Sequence, residues 1–142
     1  MSEINLAATL QATIFAQMEA AYPNEGGGFL LGTHDESGYH VAEVVAVANT
    51  FASEEQYHRY AMRPENWAQM EDIADERGLG LIGYYHSHPD SVSTPSEYDR
   101  VHALPHFVYI ITSVRAAQAV EMSAWLLRED RTAFDRAALL VK

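Results

Sequence analysis

Apolar residues follow two different periods along the chain, and the changes between them mark its elements. Leu6, Leu10, Ile14 and Met18 stand four residues apart, which draws one apolar stripe down a helix over residues 6–21. Tyr22-Pro23 ends that helix, because the residue before a proline is pushed out of helical backbone. Phe29-Leu30-Leu31 then reads as a strand and His34-Asp35-Glu36-Ser37-Gly38 as a turn. The valine-rich residues 39–48 return from that turn, so a hairpin is predicted. Residues 49–55 are polar and loop-like, and residues 57–62 alternate weakly, as a further strand would. Pro64 opens a second helix and Gly78 closes it. Trp67, Met70, Ile73 and Ala74 supply its buried side, while Glu71, Asp72, Asp75 and Glu76 form a solvated face.

Residues 79–85 are an almost unbroken apolar run of strand length, the pattern of a strand covered on both sides. A short third helix over residues 95–104 follows, then strands over 107–112 and 120–127. A turn near Glu129-Asp130-Arg131 leads to a short C-terminal segment ending in Leu139-Leu140-Val141. The order helix, three strands, helix, strand, helix, strands predicts an α/β fold, a three-layer sandwich around one mixed sheet. At 142 residues, without repeats, linkers or low-complexity stretches, residues 1–142 read as one domain.

Composition narrows the setting. With 48% hydrophobic residues the chain is globular rather than disordered. It has no cysteine, which excludes disulfides, thiolate metal sites and a cysteine nucleophile, and suits a reducing cytoplasm. Met1-Ser2-Glu3 lacks the basic flank of a signal peptide, and Asn5, Thr9, Gln11, Thr13 and Gln17 break the apolar run behind it. Neither export nor a membrane span is therefore expected. A formal net charge of −11 repels phosphate backbones and argues against a nucleic-acid partner. That acidity suits a basic protein partner, or equally a salty cytoplasm, since the acids are scattered along the chain.

The chemistry concentrates between Gly83 and Asp99. His86 and His88 stand two apart at the end of the apolar run, and residues i and i+2 of a strand share a face. Asp99 follows eleven residues after His88. Thr94-Pro95-Ser96-Glu97 between them reads as a helix start, with Thr94 as cap, Pro95 at the first position and Glu97 closing a capping box. Two imidazoles and a carboxylate make three protein ligands for a zinc ion, with the fourth position left to water as in catalytic sites. The same donor set accepts several divalent ions. An H-x-H pair alone is a weak signal; its place in the longer constellation gives it weight.

That constellation, H-x-H, then seven residues beginning with proline, then S-x-x-D, resembles the zinc signature of the JAMM (MPN-plus) metallopeptidase family. The family pattern also has an upstream glutamate in a context like P-x-E-x-x-G-x-L-x-G, and Tyr22-Pro23-Asn24-Glu25-Gly26-Gly27-Gly28-Phe29-Leu30-Leu31-Gly32 fits it. The family commonly has cysteine where Gly27 stands, a position that is not a ligand. The resemblance covers nearly the whole chain and implies a mostly antiparallel central sheet flanked by helices, similar to the cytidine deaminase architecture. It implies His86, His88 and Asp99 as zinc ligands, Glu25 as general acid/base and Ser96 as the hydroxyl that stabilises the oxyanion. It further implies cleavage of peptide or isopeptide bonds after the C-terminal glycines of ubiquitin-like proteins. The compact length is that of small stand-alone bacterial members, some of which act on sulfur carrier proteins.

Other residues carry weaker cases. A glutamate after a helix is ordinarily a solvated acid, and a serine in a first helical turn is ordinarily a cap. His34 and His40 flank a turn and are expected to be exposed; His58 and His106 have no partner spacing and are expected to be structural or exposed. His102 lies one turn beyond Asp99, and Asp90 follows a proline in a loop. Three other readings compete. A metal-free MPN scaffold would lack the ligand set present here. A RadC-like protein bears a similar signature but would bind DNA, against the charge. A nucleobase deaminase would need cysteine ligands.

Overall fold

The computed structural model describes residues 3–47 and 63–142. The loop expected over 49–55, the weak strand over 57–62 and His58 lie outside the described residues. The elements in order are β1 (Glu3–Leu6), α1 (Ala8–Ala21), β2 (Gly27–Asp35), β3 (Gly38–Ala46), α2 (Pro64–Glu76), β4 (Gly80–Pro89), α3 (Glu97–His102), β5 (Val108–Arg115), β6 (Gln118–Leu127) and β7 (Phe134–Val141).

The strands form one mixed sheet in the order β1-β3-β2-β4-β5-β6-β7, and β1 pairs in parallel with β7 to close it. This corrects the expected three-layer sandwich: the sheet is a closed, barrel-like wall, not an open layer. The closure depends on two strands the sequence pattern does not give. Residues 3–6 alternate in burial over only four positions, so Leu6 looks like the start of the helical stripe, although it belongs to β1. The helix begins at Ala8, with Ile14, Met18 and Ala21 buried. At the other end, residues 134–141 include Asp135 and Arg136 on the exposed side, which hides a strand of eight residues. The antiparallel β2–β3 hairpin, by contrast, is the one the pattern predicts.

Burial divides across the sheet. Leu30, Tyr85 and Ile110 join Ile14 and Met18 of α1 in one cluster. Phe29, Leu31, Tyr84 and Tyr109 join Met70 and Ala74 of α2, and Ala103 after α3, in the other. The alternation slips once in β4. Leu31 pairs with Leu81 but Leu30 with Gly83, so a bulge absorbs Ile82 and turns it to the α1 side. Past the bulge the strand runs regularly, and His86 and His88 share the Tyr84 side. The acidic face of α2 is exposed as expected. Strands β4 and β5 pair in parallel, which demands a crossover between them. That crossover carries α3 past the end of β4.

Candidate metal centre

His86 Nε2 lies 3.2 Å from His88 Nε2 and 3.2 Å from Asp99 Oδ1, and His88 Nε2 lies 3.4 Å from Asp99 Oδ2. All three residues are buried, at 1%, 5% and 2% exposure. Their three ligand atoms fall within 4.8 Å of one another. Three groups with lone pairs thus face one point, away from water, an arrangement a cation would stabilise. Two imidazole nitrogens and one carboxylate oxygen are the donor set of a zinc site with an open position.

Each side chain is held by its own local structure. His88 Nδ1 lies 2.8 Å from the Val92 carbonyl, which only accepts, so the proton sits on Nδ1 and the Nε2 lone pair faces the cluster. The loop offering that carbonyl is itself pinned. Trp125 Nε1 donates to the Ser93 carbonyl at 3.0 Å and Ser123 Oγ donates to it at 2.6 Å, while Ser113 Oγ donates to the Ser91 carbonyl. Asp99 is fixed by a reciprocal pair: its backbone N–H donates to Ser96 Oγ at 3.0 Å, and its Oδ2 accepts from the Ser96 N–H at 2.9 Å.

That pair corrects the expected helix start. Ser96, not Thr94, is the cap, and Asp99, not Glu97, closes the box. Two capping-box patterns overlap in Thr94-Pro95-Ser96-Glu97-Tyr98-Asp99, and the second one turns a carboxylate inward. Glu97 instead pairs with Arg100, whose guanidinium holds the glutamate below the usual carboxylate range. The S-x-x-D spacing is therefore also a mechanical device that aims Asp99.

Glu25 is buried, at 6% exposure, in the turn after α1. The backbone beside it is bound to β4 between the histidines: Gly26 N–H donates to Ser87 Oγ at 2.9 Å, and Ser87 N–H to the Gly26 carbonyl at 3.0 Å. Gly27 pairs with His86. Continuing that antiparallel register by two residues sets Glu25 opposite His88 on the same face. Gly26 packs closely on α1, since a Cβ there would lie 2.9 Å from both Ala21 Cβ and Met18 Cε and would force a neighbour to shift. Ser87 and the Val92 carbonyl are not readable as site residues in the sequence. For Ser87, the signal is its place between two histidines, facing the other way.

The remaining candidates stay apart from this cluster. His102 is exposed, stacks on Tyr98 at 4.0 Å and lies 3.0 Å from the Tyr98 carbonyl. His106 is exposed near Glu129, His34 stacks on Tyr39, and His40 contacts Asp35 and Ser37. Asp90 is exposed as expected, but it clips three segments together. Its Oδ2 accepts from Tyr22 Oη at 2.6 Å and its Oδ1 from the Ala116 N–H at 3.1 Å, and the tyrosine bond holds the carboxyl below its ordinary range.

Comparison with known proteins identifies the family and the fold. A family profile described as prokaryotic homologs of the JAB domain matches residues 7–128. A curated desampylase from Haloferax volcanii is 38% identical over 55 residues, a match spanning 38% of this chain and 40% of that protein. A solved protein from Salinibacter ruber superposes with a TM-score of 0.74 at 35% identity, covering 96% of this chain and 91% of its own. Another, from Desulfitobacterium hafniense, gives 0.79 at 24% identity, covering 98% and 92%. The profile takes in Glu25, the two histidines, Ser96 and Asp99 together, and the chain belongs to the prokaryotic JAB-domain family.

Proposed function

We propose that this protein is a zinc-dependent hydrolase. It cleaves the peptide or isopeptide bond after the C-terminal Gly-Gly of a ubiquitin-like protein, with a sulfur carrier as the leading substrate. The observation that carries this reading is the buried convergence of His86, His88 and Asp99, with the buried Glu25 two residues before the Gly27 that pairs with His86. The stretch of likeness to a desampylase supports the ubiquitin-like substrate class.

In this reading His86 Nε2, His88 Nε2 and one Asp99 oxygen hold the ion. Bound zinc supplies Lewis acidity and lowers the pKa of a water from 15.7 to about 7. The chain's own groups do the rest. Glu25 takes a proton from the attacking water, whose oxygen bonds to the carbonyl carbon. The C–N bond then breaks, and Glu25 returns the proton to the leaving amine. Ser96 sits at the helix entry with its oxygen accepting from Asp99 N–H, and in this reading its hydroxyl turns to donate to the developing oxyanion. We do not assign it as the nucleophile, since that role would need a base of its own beside the one that serves the water. Residues 1–142 work as one JAB domain in the cytoplasm. Freedom from cysteine supports that setting, and among the described residues no helix is long and apolar enough to cross a membrane.

The test offers a sulfur carrier ending in Gly-Gly-amino acid to wild type and Glu25→Gln. Release by wild type, about 10²–10⁴-fold slower in the variant while zinc is retained, is expected. Equal release by both proteins would refute the mechanism.

A further inference from the structure

We infer that the cleft beside Ser96 is a side-chain pocket for the first residue on the amine side of the cleaved bond, and that it takes a bulky apolar or aromatic side chain. The inference rests on the reading of function above and names the part of the substrate that this reading leaves open. The cleft measures ≈ 280 Å³ and lies between the entry to α3 and the β6–β7 hairpin. Thr94, Ser96, Glu97, Arg100, Trp125 and Phe134 are among the residues that line it. Ser96 is common to cleft and centre: its N–H holds Asp99 Oδ2 at 2.9 Å. Through Ser96 the cleft borders the centre, and the substrate residue next to the cleaved bond is the one placed to reach it.

Size and chemistry select the occupant. Sites for whole small ligands run roughly 300–1,000 Å³, so this cleft stands at the lower edge of that range, nearer the scale of a side chain than of a large ligand. Its aromatic walls are fixed before anything binds. Trp125 Nε1 is held by the Ser93 carbonyl at 3.0 Å and Ser123 Oγ at 2.9 Å. The Phe134 ring meets Tyr109 edge-on at 5.8 Å and 77°. Rigid aromatic surface loses little freedom when it is covered. Arg100 does not solicit an anion, because its guanidinium is already bound by the Glu97 carboxylate and by the Arg131 carbonyl at 2.8 Å. The Glu97 carboxylate, which also lines the cleft, is committed to Arg100 in the same pair, so the aromatic surface of Trp125 and Phe134 is what an occupant would cover. On the acyl side of the bond the proposed substrate has two glycines, which have no side chain to place. The occupant therefore belongs to the leaving amine.

The experiment offers a ubiquitin-like carrier ending Gly-Gly-X, with X as Phe, Leu, Ala or Asp, to the zinc-loaded full chain. It compares wild type with Phe134→Ala and with Thr94→Trp, which fills the cleft from an exposed rim position. The readout is the ratio of kcat/KM for Phe over Ala, with melting point and zinc content as checks on the fold. A wild-type ratio of about ten or more is expected, falling toward one in both variants. Equal kcat/KM for all four carriers, or a Phe preference undiminished in both variants, overturns the pocket and leaves the hydrolase standing. No release from any carrier by wild type overturns the hydrolase reading, and the pocket falls with it.

Discussion

Replacing Ser96 by alanine separates the two tasks its position performs, and the structure sets the size of each. The hydroxyl accepts from Asp99 N–H at 3.0 Å, and removing such a cap costs about 1 kcal/mol, with a range of roughly 0.5–2. Unfolding entropy of roughly 2.1 cal/mol/K per residue over 142 residues comes to about 0.3 kcal/mol/K. The metal-free variant should therefore melt about 3 °C lower. The second effect falls on the centre. Helix α3 has only six residues, so a frayed first turn frees the carboxylate that the box aims at the histidines. Loss of a group that orients a ligand typically costs about 10–100-fold in metal affinity. Ser96→Thr keeps the hydroxyl and should sit near wild type in both measurements. Thermal melts of the apo proteins and zinc titration against a chelating dye read the two effects separately. Wild-type zinc affinity in Ser96→Ala, with only the melting point lowered, would show that the box does not orient Asp99. An unchanged melting point would refute the cap itself.

Three further outcomes follow from particular contacts. Gly83→Ala should destabilise by about 3 kcal/mol and disturb His86 three residues on. Its Cβ would lie 2.0 Å from the Val108 carbonyl oxygen, backbone that cannot rotate away; a urea midpoint equal to wild type would contradict this. Ala117→Gly should stabilise by about 1 kcal/mol, because Ala116 and Ala117 turn the β5–β6 hairpin at φ of 50° and 66°, a left-handed region costly for alanine; denaturant melts check it, and a loss of stability would refute it. Asp35 should titrate near 2, below its ordinary 3.8, since the Ser37 hydroxyl, then His40 and the Ser37 N–H, favour the carboxylate. Folded-state depression means this contribution is fully present above about 4 and is lost as pH falls toward 2. A carbon-detected NMR titration midpoint near 4 would sink that reading.

The site is more legible in the sequence than the fold around it. His86 and His88 converge because a period of two is a local property, and the apolar run before them already declares a strand. The limits of α2 are also local, set by Pro64 and by Gly78, whose φ of +70° ends the helix. Closure of the sheet is not local. It joins Glu3–Leu6 to residues 138–141 in parallel, and four residues that alternate are indistinguishable from the first turn of the Leu10–Ile14–Met18 stripe. The cap at α3 was ambiguous for a different reason. Thr94 to Glu97 and Ser96 to Asp99 both satisfy the same spacing, and only the position of β4 decides which carboxylate turns inward. The Val92 carbonyl that fixes His88 is backbone and leaves no trace in residue type. The clip from Tyr22 through Asp90 to Ala116 joins segments 68 and 26 residues apart, and no spacing announces it.

The central claim is that His86, His88 and Asp99 hold one zinc ion. Elemental analysis of the protein purified without added metal or chelator, beside Asp99→Ala, tests it most directly. Close to one zinc per wild-type chain, lost in the variant, is the expected result. A wild-type chain that takes up no metal even when zinc is offered would contradict the account, because three buried ligand atoms within 4.8 Å would then not form a site.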